Sequence, residues 1–158
     1  MTEKIYTEEN SEYLKNHPTW HIEDSPWKAK QIIKILKQNS INPKSIAEVG
    51  CGAGEILNQL YQSMSNDVIF TGYDISNDAI RLAKQREKKR LEFKRENILD
   101  TNSKFDLLLM IDVFEHIDDY LGFLKSKIAV LPRKLMYKAN KDIAAKLLGG
   151  FSLLVLTK

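Results

Sequence analysis

Residues 46–54 read Ile46-Ala47-Glu48-Val49-Gly50-Cys51-Gly52-Ala53-Gly54, and the whole fold assignment rests on how this stretch is built. From Ser45 to Val49 the run is short and mostly apolar, then glycines cut it off. That is the pattern of a buried strand ending in a tight turn. Directly beyond, Ile56, Leu57, Leu60 and Tyr61 recur at helical spacing. Glycine tolerates positive φ and lets a ligand approach the backbone with no β-carbon in the way. The helix that follows turns unpaired amide hydrogens toward whatever lies over the loop.

Toward the amino terminus, Ser25-Pro26 predicts a helix start, with serine as cap and proline at the first helical position. Trp27, Ala29, Ile32, Ile33 and Leu36 continue it as an amphipathic helix to about Gln38. Toward the carboxyl terminus, Val68 to Tyr73 is rich in β-branched and aromatic residues and reads as a strand. Ser76 is positioned to cap a helix with Asp78 in its first turn, running through Ile80, Leu82 and Ala83 into the basic segment Lys84 to Arg90. Leu91 to Arg95 and Phe105 to Ile111 are the third and fourth strands, and a helix is expected from about Phe114 to Lys125. Strands alternating with helices predict an α/β fold: a doubly wound, mostly parallel sheet with helices on both faces. A cap segment and leading helix occupy residues 1–44, and residues 45–158 form the ligand-binding part of a single domain. Later expectations are a strand at Lys127 to Leu131, a helix from Asn140 to Leu148 and a last strand from Phe151 to Thr157.

Spacing and charge narrow the ligand. A dinucleotide loop, G-x-G-x-x-G, requires a third glycine at residue 55, where this chain has glutamate. The pattern here is G-x-G-x-G, and no Gly-Lys-Ser/Thr follows to make a P-loop. A pyrophosphate beside Glu48 and Glu55 would meet carboxylates, whereas the sulfonium and ammonium of S-adenosylmethionine would be attracted. Asp74, at the end of the second strand, can accept both hydroxyls of a ribose. Cys51 reads as a small residue of the cofactor loop, since no nearby group activates its thiolate.

Ile46 to Gly54 resembles motif I of the class I S-adenosylmethionine-dependent methyltransferases, and Gly72-Tyr73-Asp74-Ile75-Ser76 resembles the acidic motif after it. Glu96-Asn97-Ile98-Leu99-Asp100 is similar to the adenine-contacting segment, with Asn97 where the family usually has aspartate. Leu107 to His116 is similar to the strand-four motif of small-molecule and quinone methyltransferases. The resemblance implies a Rossmann-like methyltransferase sheet, S-adenosylmethionine as cofactor and S-adenosylhomocysteine as product. It implies cofactor contacts from Glu48, Gly50, Cys51, Gly52, Gly54, Asp74, Ile75, Asn97, Ile98 and Asp112. The acceptor is expected to be a small molecule.

Asp112, Glu115 and His116 are spaced i, i+3 and i+4. Three roles stand open for them. Asp112 could help hold the cofactor while the other two stabilise a turn; His116, aided by Glu115, could be a general base; or the three could ligate a divalent metal. The expectation adopted is catalytic Glu115 and His116 with no metal. Trp20 reads either as a cofactor lid, gaining cation–π energy from a sulfonium, or as packing. Trp27 reads as packing the leading helix on the sheet. After Asp112 only 46 residues remain, so the carboxyl-terminal half looks shortened relative to the family, or an internal segment is missing. A non-catalytic S-adenosylmethionine-binding module and a dinucleotide-dependent oxidoreductase are the alternatives.

Bulk properties exclude other classes. The chain is 43% hydrophobic and 28% charged, ordinary values for a folded domain rather than a disordered one. A net charge of +3 does not argue for nucleic acid, and Lys84 to Arg90 reads as a solvated helix end. Cys51 is the one cysteine, so no internal disulfide forms. No signal peptide is visible at Met1 to Lys4, and the apolar run Phe151 to Leu156 is too short to span a bilayer. The expected location is cytoplasmic.

Overall fold

A computed structural model describes residues 22–113. Helix α1 spans Ser25–Gln38 and is preceded by a 3-10 turn at Ile22–Asp24. Its cap is Asp24, without a side-chain bond, rather than Ser25, which lies inside the helix and is buried. Pro26 occupies the first turn, where its missing N–H costs nothing. Ala29, Ile32 and Leu36 recur at three and four residues and form the buried face. The helix ends in a Schellman-type closure. Ser40 takes a left-handed φ of 53° and donates to the Lys37 carbonyl, while the Ile41 N–H reaches Leu36 O at 2.9 Å.

Strand β1 (Ser45–Val49) leads through the glycine loop into α2 (Glu55–Ser63). Strand β2 (Ile69–Asp74) leads into α3 (Asn77–Ala83), and β3 (Leu91–Arg95) and β4 (Leu107–Met110) complete the described sheet. The order is β3-β2-β1-β4 with every pair parallel. Ile46 is level with Phe70 and Leu107, and Glu48 with Gly72 and Leu109. Parallel neighbours on either side of β1 mean that the chain crosses the sheet between β3 and β4. In open α/β sheets such a change of direction, here at the carboxyl ends of β1 and β4, is where ligands bind.

Side-chain alternation along the strands divides the core in two. Ile46, Phe70, Leu91, Phe93, Leu107 and Leu109 face α1, α2 and α3, burying Ala29, Ile32, Leu57, Leu60, Ile80 and Ala83. The other face gathers Ala47, Tyr73 and Met110 with Ile98 from the 3-10 turn Ile98–Asp100. All three described helices therefore pack on one face. The helix expected from Phe114, the shortened carboxyl-terminal half and the final strand lie outside the described residues, as does the cap segment before Ile22.

Ser76 caps α3 as expected, its hydroxyl accepting the Ala79 N–H, and Asp78 stands in the first turn. Two expectations are corrected. Trp27 does not pack α1 on the sheet: it is 51% exposed, because the buried face of α1 runs through Ala29, Ile32 and Leu36. Nor is Lys84 to Arg90 a solvated helix end. The α-helix stops at Ala83 and a 3-10 turn at Lys84–Arg86 redirects the chain. Arg86 then pairs with Glu55 at 2.5 Å, and Lys88 donates to Asn58 Oδ1 at 2.6 Å. Arg90 stacks on the Tyr61 ring at 4.6 Å while donating to the Val68 carbonyl at 2.7 Å. Arg86, Lys88 and Arg90 thus brace α2 and the approach to β2, although Lys84, Lys88 and Lys89 are each exposed to solvent.

Candidate functional site

The site is built at the carboxyl ends of β1, β2 and β4. After Val49 the chain must reverse within five residues to start α2. It does so with φ of 66° at Gly50, 53° at Gly52 and 77° at Gly54, values that L side chains rarely adopt. Space adds a second requirement. A β-carbon on Gly54 would overlap the Phe93 ring, and one on Gly50 would overlap Val113. At these two positions the hydrogen side chain is demanded by the protein's own packing, a reason the ligand-approach argument did not contain. Cys51 N–H donates to Tyr73 O at 3.1 Å and Gly54 N–H to Cys51 O at 2.8 Å, tying the loop to β2 and to itself.

Asp74 fastens the loop to β2. Its Oδ2 accepts the Gly52 N–H at 2.9 Å and its Oδ1 accepts the Ser76 N–H at 2.8 Å. Each oxygen keeps a lone pair, so capacity for two hydroxyl donors remains. Burial raises its pKa above the ordinary value, although the backbone donors at Ser76, Gly52 and Ile75 pull the other way.

Glu48 is 1% exposed, and its Oε2 has no hydrogen-bond partner. Burial lifts its pKa well above the ordinary carboxylate range; Asp74 adds to the rise, Lys28 opposes it and Asp112 adds again. A carboxyl so placed favours its neutral form until a cation comes near. The same burial, with Asp74 and Glu48 beside it, pushes the Cys51 thiol up. Cys51 is thus a buried loop residue whose thiol is held toward its protonated form.

Asp112 follows β4 with a left-handed φ of 54°, uncommon for a non-glycine residue. Its Oδ2 lies 2.6 Å from Lys28 Nζ, an ion pair that ties α1 to the end of β4. Asn97 caps the 3-10 turn at Ile98–Asp100, its Oδ1 accepting the Leu99 N–H at 3.0 Å. The amide oxygen expected to be open to an adenine amine is already engaged locally, with one lone pair left. Ile98 is buried beside Tyr73 and Met110. Ile75 is half-buried, and its carbonyl accepts from Arg95 Nε at 3.3 Å.

The expectation for Glu55 is corrected. It does not contribute free negative charge to the site, since Arg86 pairs with it and Gln59 and Asn58 donate to it. Burial alone would raise its pKa, but the bonds from Gln59, Arg86 and Asn58 outweigh burial and lower it. Among the described residues no group of three or more His, Cys, Asp or Glu is placed to hold a metal. Trp20, Glu115 and His116 lie outside the described residues. Lys28, Arg86 and Val113 are the residues that sequence reasoning missed: their contacts are long-range, and no local spacing signals them.

Fold and site together define a protein of the Rossmann-like α/β class, with its polar groups collected at the switch point of a parallel sheet. Residues 43–144 match the family described as methyltransferase domain, and the chain belongs to that family. This membership sets aside the dinucleotide-dependent alternative. The chain is 28% identical over 106 residues to the ubiquinone biosynthesis O-methyltransferase of Haemophilus ducreyi, covering 60% of this chain and 44% of the relative. It is 24% identical over 140 residues to the protein of the same name from Glaesserella parasuis serovar 5, covering 77% and 58%. The chain thus spans about half the length of these curated relatives. Its fold is similar to that of the plantazolicin methyltransferase BpumL in complex with SAH, with a TM-score of 0.66 at 18% identity, covering 83% of this chain and 52% of that one. No helix among the described residues is long and apolar enough to cross a membrane.

Proposed function

We propose that the chain binds S-adenosylmethionine and transfers its methyl group to a small-molecule acceptor, releasing S-adenosylhomocysteine. The observation that carries this reading is Glu48: a buried carboxyl with a partnerless oxygen, next to Asp74 and under a loop of positive-φ glycines. Such a group is costly without a cation and suits a cationic nucleoside. The bound cofactor would supply an already activated methyl group, so the protein's part is placement and exclusion of water.

In this reading Gly50, Cys51, Gly52 and Gly54 form the backbone cradle, and Glu48 faces the ammonium and sulfonium end. Asp74 takes the ribose hydroxyls and stays anchored by Gly52 N–H and Ser76 N–H. Asn97 and Ile98 border the adenine, with Ile75 closing the same edge. Asp112 helps define the amino-acid end. Trp20 is assigned as a lid and His116, aided by Glu115, as the group that receives the acceptor's proton. The acceptor class is carried over from the O-methyltransferase relatives, named for ubiquinone biosynthesis. The single buried thiol suits a cytoplasmic location.

Calorimetric titration with S-adenosylhomocysteine tests the assignment. Binding is expected for the wild type, and Asp74→Ala should weaken it at least 100-fold, because loop anchor and ribose acceptor are lost together. Failure of the wild type to bind would reject the reading. Turnover is tested separately, by following labelled methyl groups onto a panel of phenolic and quinol acceptors.

A further inference from the structure

We propose that the exposed face of α1 docks on an anionic phospholipid surface, with Trp27 at headgroup level and Lys30, Lys34 and Lys37 over the lipid phosphates. The proposal is independent of the methyl-transfer reading and concerns a face which that reading leaves unused.

Spacing brings these residues together. Trp27, Lys30, Lys34 and Lys37 recur at three and four residues, so they form one row on the side of α1 opposite Ala29, Ile32 and Leu36. All four are exposed, Trp27 to 51%. The row runs about 15 Å at the helical rise. Helix α1 has four lysines and no acidic residue. Lys28 is turned aside to Asp112, while Lys30, Lys34 and Lys37 pair with no acid among the described residues. The acids nearest in sequence, Glu23 and Asp24, lie before the helix, at its positive end. Like charges three and four residues apart weaken a helix, whereas opposite charges support it. A face made only for water gains from mixed signs. This one has a single sign, a cost that an anionic surface removes.

The asymmetry extends beyond α1. Residues 25–38, 55–63 and 77–90 form the helical layer on one face of the sheet, and they hold ten basic and three acidic residues. The whole chain has 24 and 21, which leaves 14 basic and 18 acidic residues elsewhere. Two of the layer's three acids are already paired, Glu55 with Arg86 and Asp78 with Arg81. A molecule polarised in this way turns its positive layer toward an anionic plane.

Residue type favours lipid over nucleic acid. Helix α1 carries no arginine, whose planar fork suits fixed phosphates, and lysine is a compact point charge that suits mobile headgroups. Indole, with an apolar body and a polar N–H, settles at membrane interfaces. The apolar stripe of α1 is spent in the core, so the contact is peripheral.

Co-sedimentation of the unliganded protein with vesicles tests the docking. Vesicles of equimolar phosphatidylcholine and phosphatidylglycerol should bind at least tenfold more tightly than phosphatidylcholine alone, and raised salt should release the protein. Equal binding to both, or none to either, overturns the proposal. Lys34→Glu should weaken binding at least fivefold. Lys104→Glu, the same charge change in the loop before β4, should stay within twofold of the wild type. Both positions are exposed, and circular dichroism checks that the fold is kept. If the two variants weaken binding alike, only net charge is being read and α1 is not the docking face. On the mixed vesicles tryptophan emission should move to the blue, and Trp27→Phe should abolish the shift; a shift that persists overturns the placement of Trp27. Polyuridylate bound more tightly than the mixed vesicles at the same salt would assign the face to nucleic acid and reject the lipid. No cofactor takes part, so none of these results bears on S-adenosylhomocysteine binding.

Discussion

The two ends of the sheet use acidic residues in opposite ways. At the amino ends of the strands, Asp106 Oδ2 accepts from Lys44 N, Ser45 N and Ser45 Oγ at 2.9 to 3.1 Å. Its own N–H returns a bond to Ser45 Oγ at 2.9 Å, which locks the start of β4 to the start of β1. Lys44 pairs with Asp67, and Arg90 donates to the Val68 carbonyl beside the start of β2. At the carboxyl ends, Glu48 keeps a partnerless buried oxygen and Asp74 is held by backbone amides alone. Polar groups at one end complete internal bonds. At the other, Asp74 and Asp112 are bonded but Glu48 is left with an unmet oxygen, a need that a cationic ligand would answer.

Substitutions can break this contrast or sharpen it. The largest effect is expected from Gly54→Val, which combines a left-handed φ with overlap on the Phe93 ring. It should destabilise by about 3 kcal/mol, lowering Tm by roughly 6–12 °C in a chain of this size. A variant as stable as the wild type would show that the loop is not held by packing. Next, Asp106→Ala strands three donors and should cost about 1–3 kcal/mol in urea denaturation, leaving the affinity for S-adenosylhomocysteine unchanged. Weaker ligand binding in that variant would mean that the two ends are not independent.

The smallest stability effect has the opposite sign. Glu48→Gln should stabilise the unliganded protein by about 1 kcal/mol, roughly 2–4 °C, while weakening S-adenosylhomocysteine binding at least tenfold. The reason lies in the direction of its pKa. A carboxyl whose folded pKa is raised holds a proton that the unfolded chain releases, so stability falls as pH rises from near 4.5 toward the folded value. The substitution should flatten that slope. A Glu48→Gln protein with unaltered pH dependence would locate its source elsewhere.

Much of this arrangement was legible locally. Strands β1 and β3 have the bounds that their sequence patterns predict, and Ser76 caps α3 because an Ncap hydroxyl needs only the amide three residues ahead. The glycine spacing announced the turn, and Asp74 stands at the end of β2 as expected. Charge was harder to read. Glu55 looked like part of the site until Arg86, 31 residues away, neutralised it. Lys84 to Arg90 looked solvated because nothing in that run shows Tyr61 or Asn58 waiting beside it. Trp27 fits a helical apolar pattern, yet it lies off the stripe that α1 turns to the core.

Periodicity, capping and turn chemistry act over a few residues, so the order of strands and helices, the glycine bend and the place of Asp74 could be read along the chain. Which charges end up neutralised is a matter of distances between segments far apart in the chain. Only folding brings Lys28 to Asp112 across 84 positions, Arg86 to Glu55, and Glu48 into a buried place. Electrostatic energy depends on separation and burial in space, and neither is written in the spacing of residues along a strand.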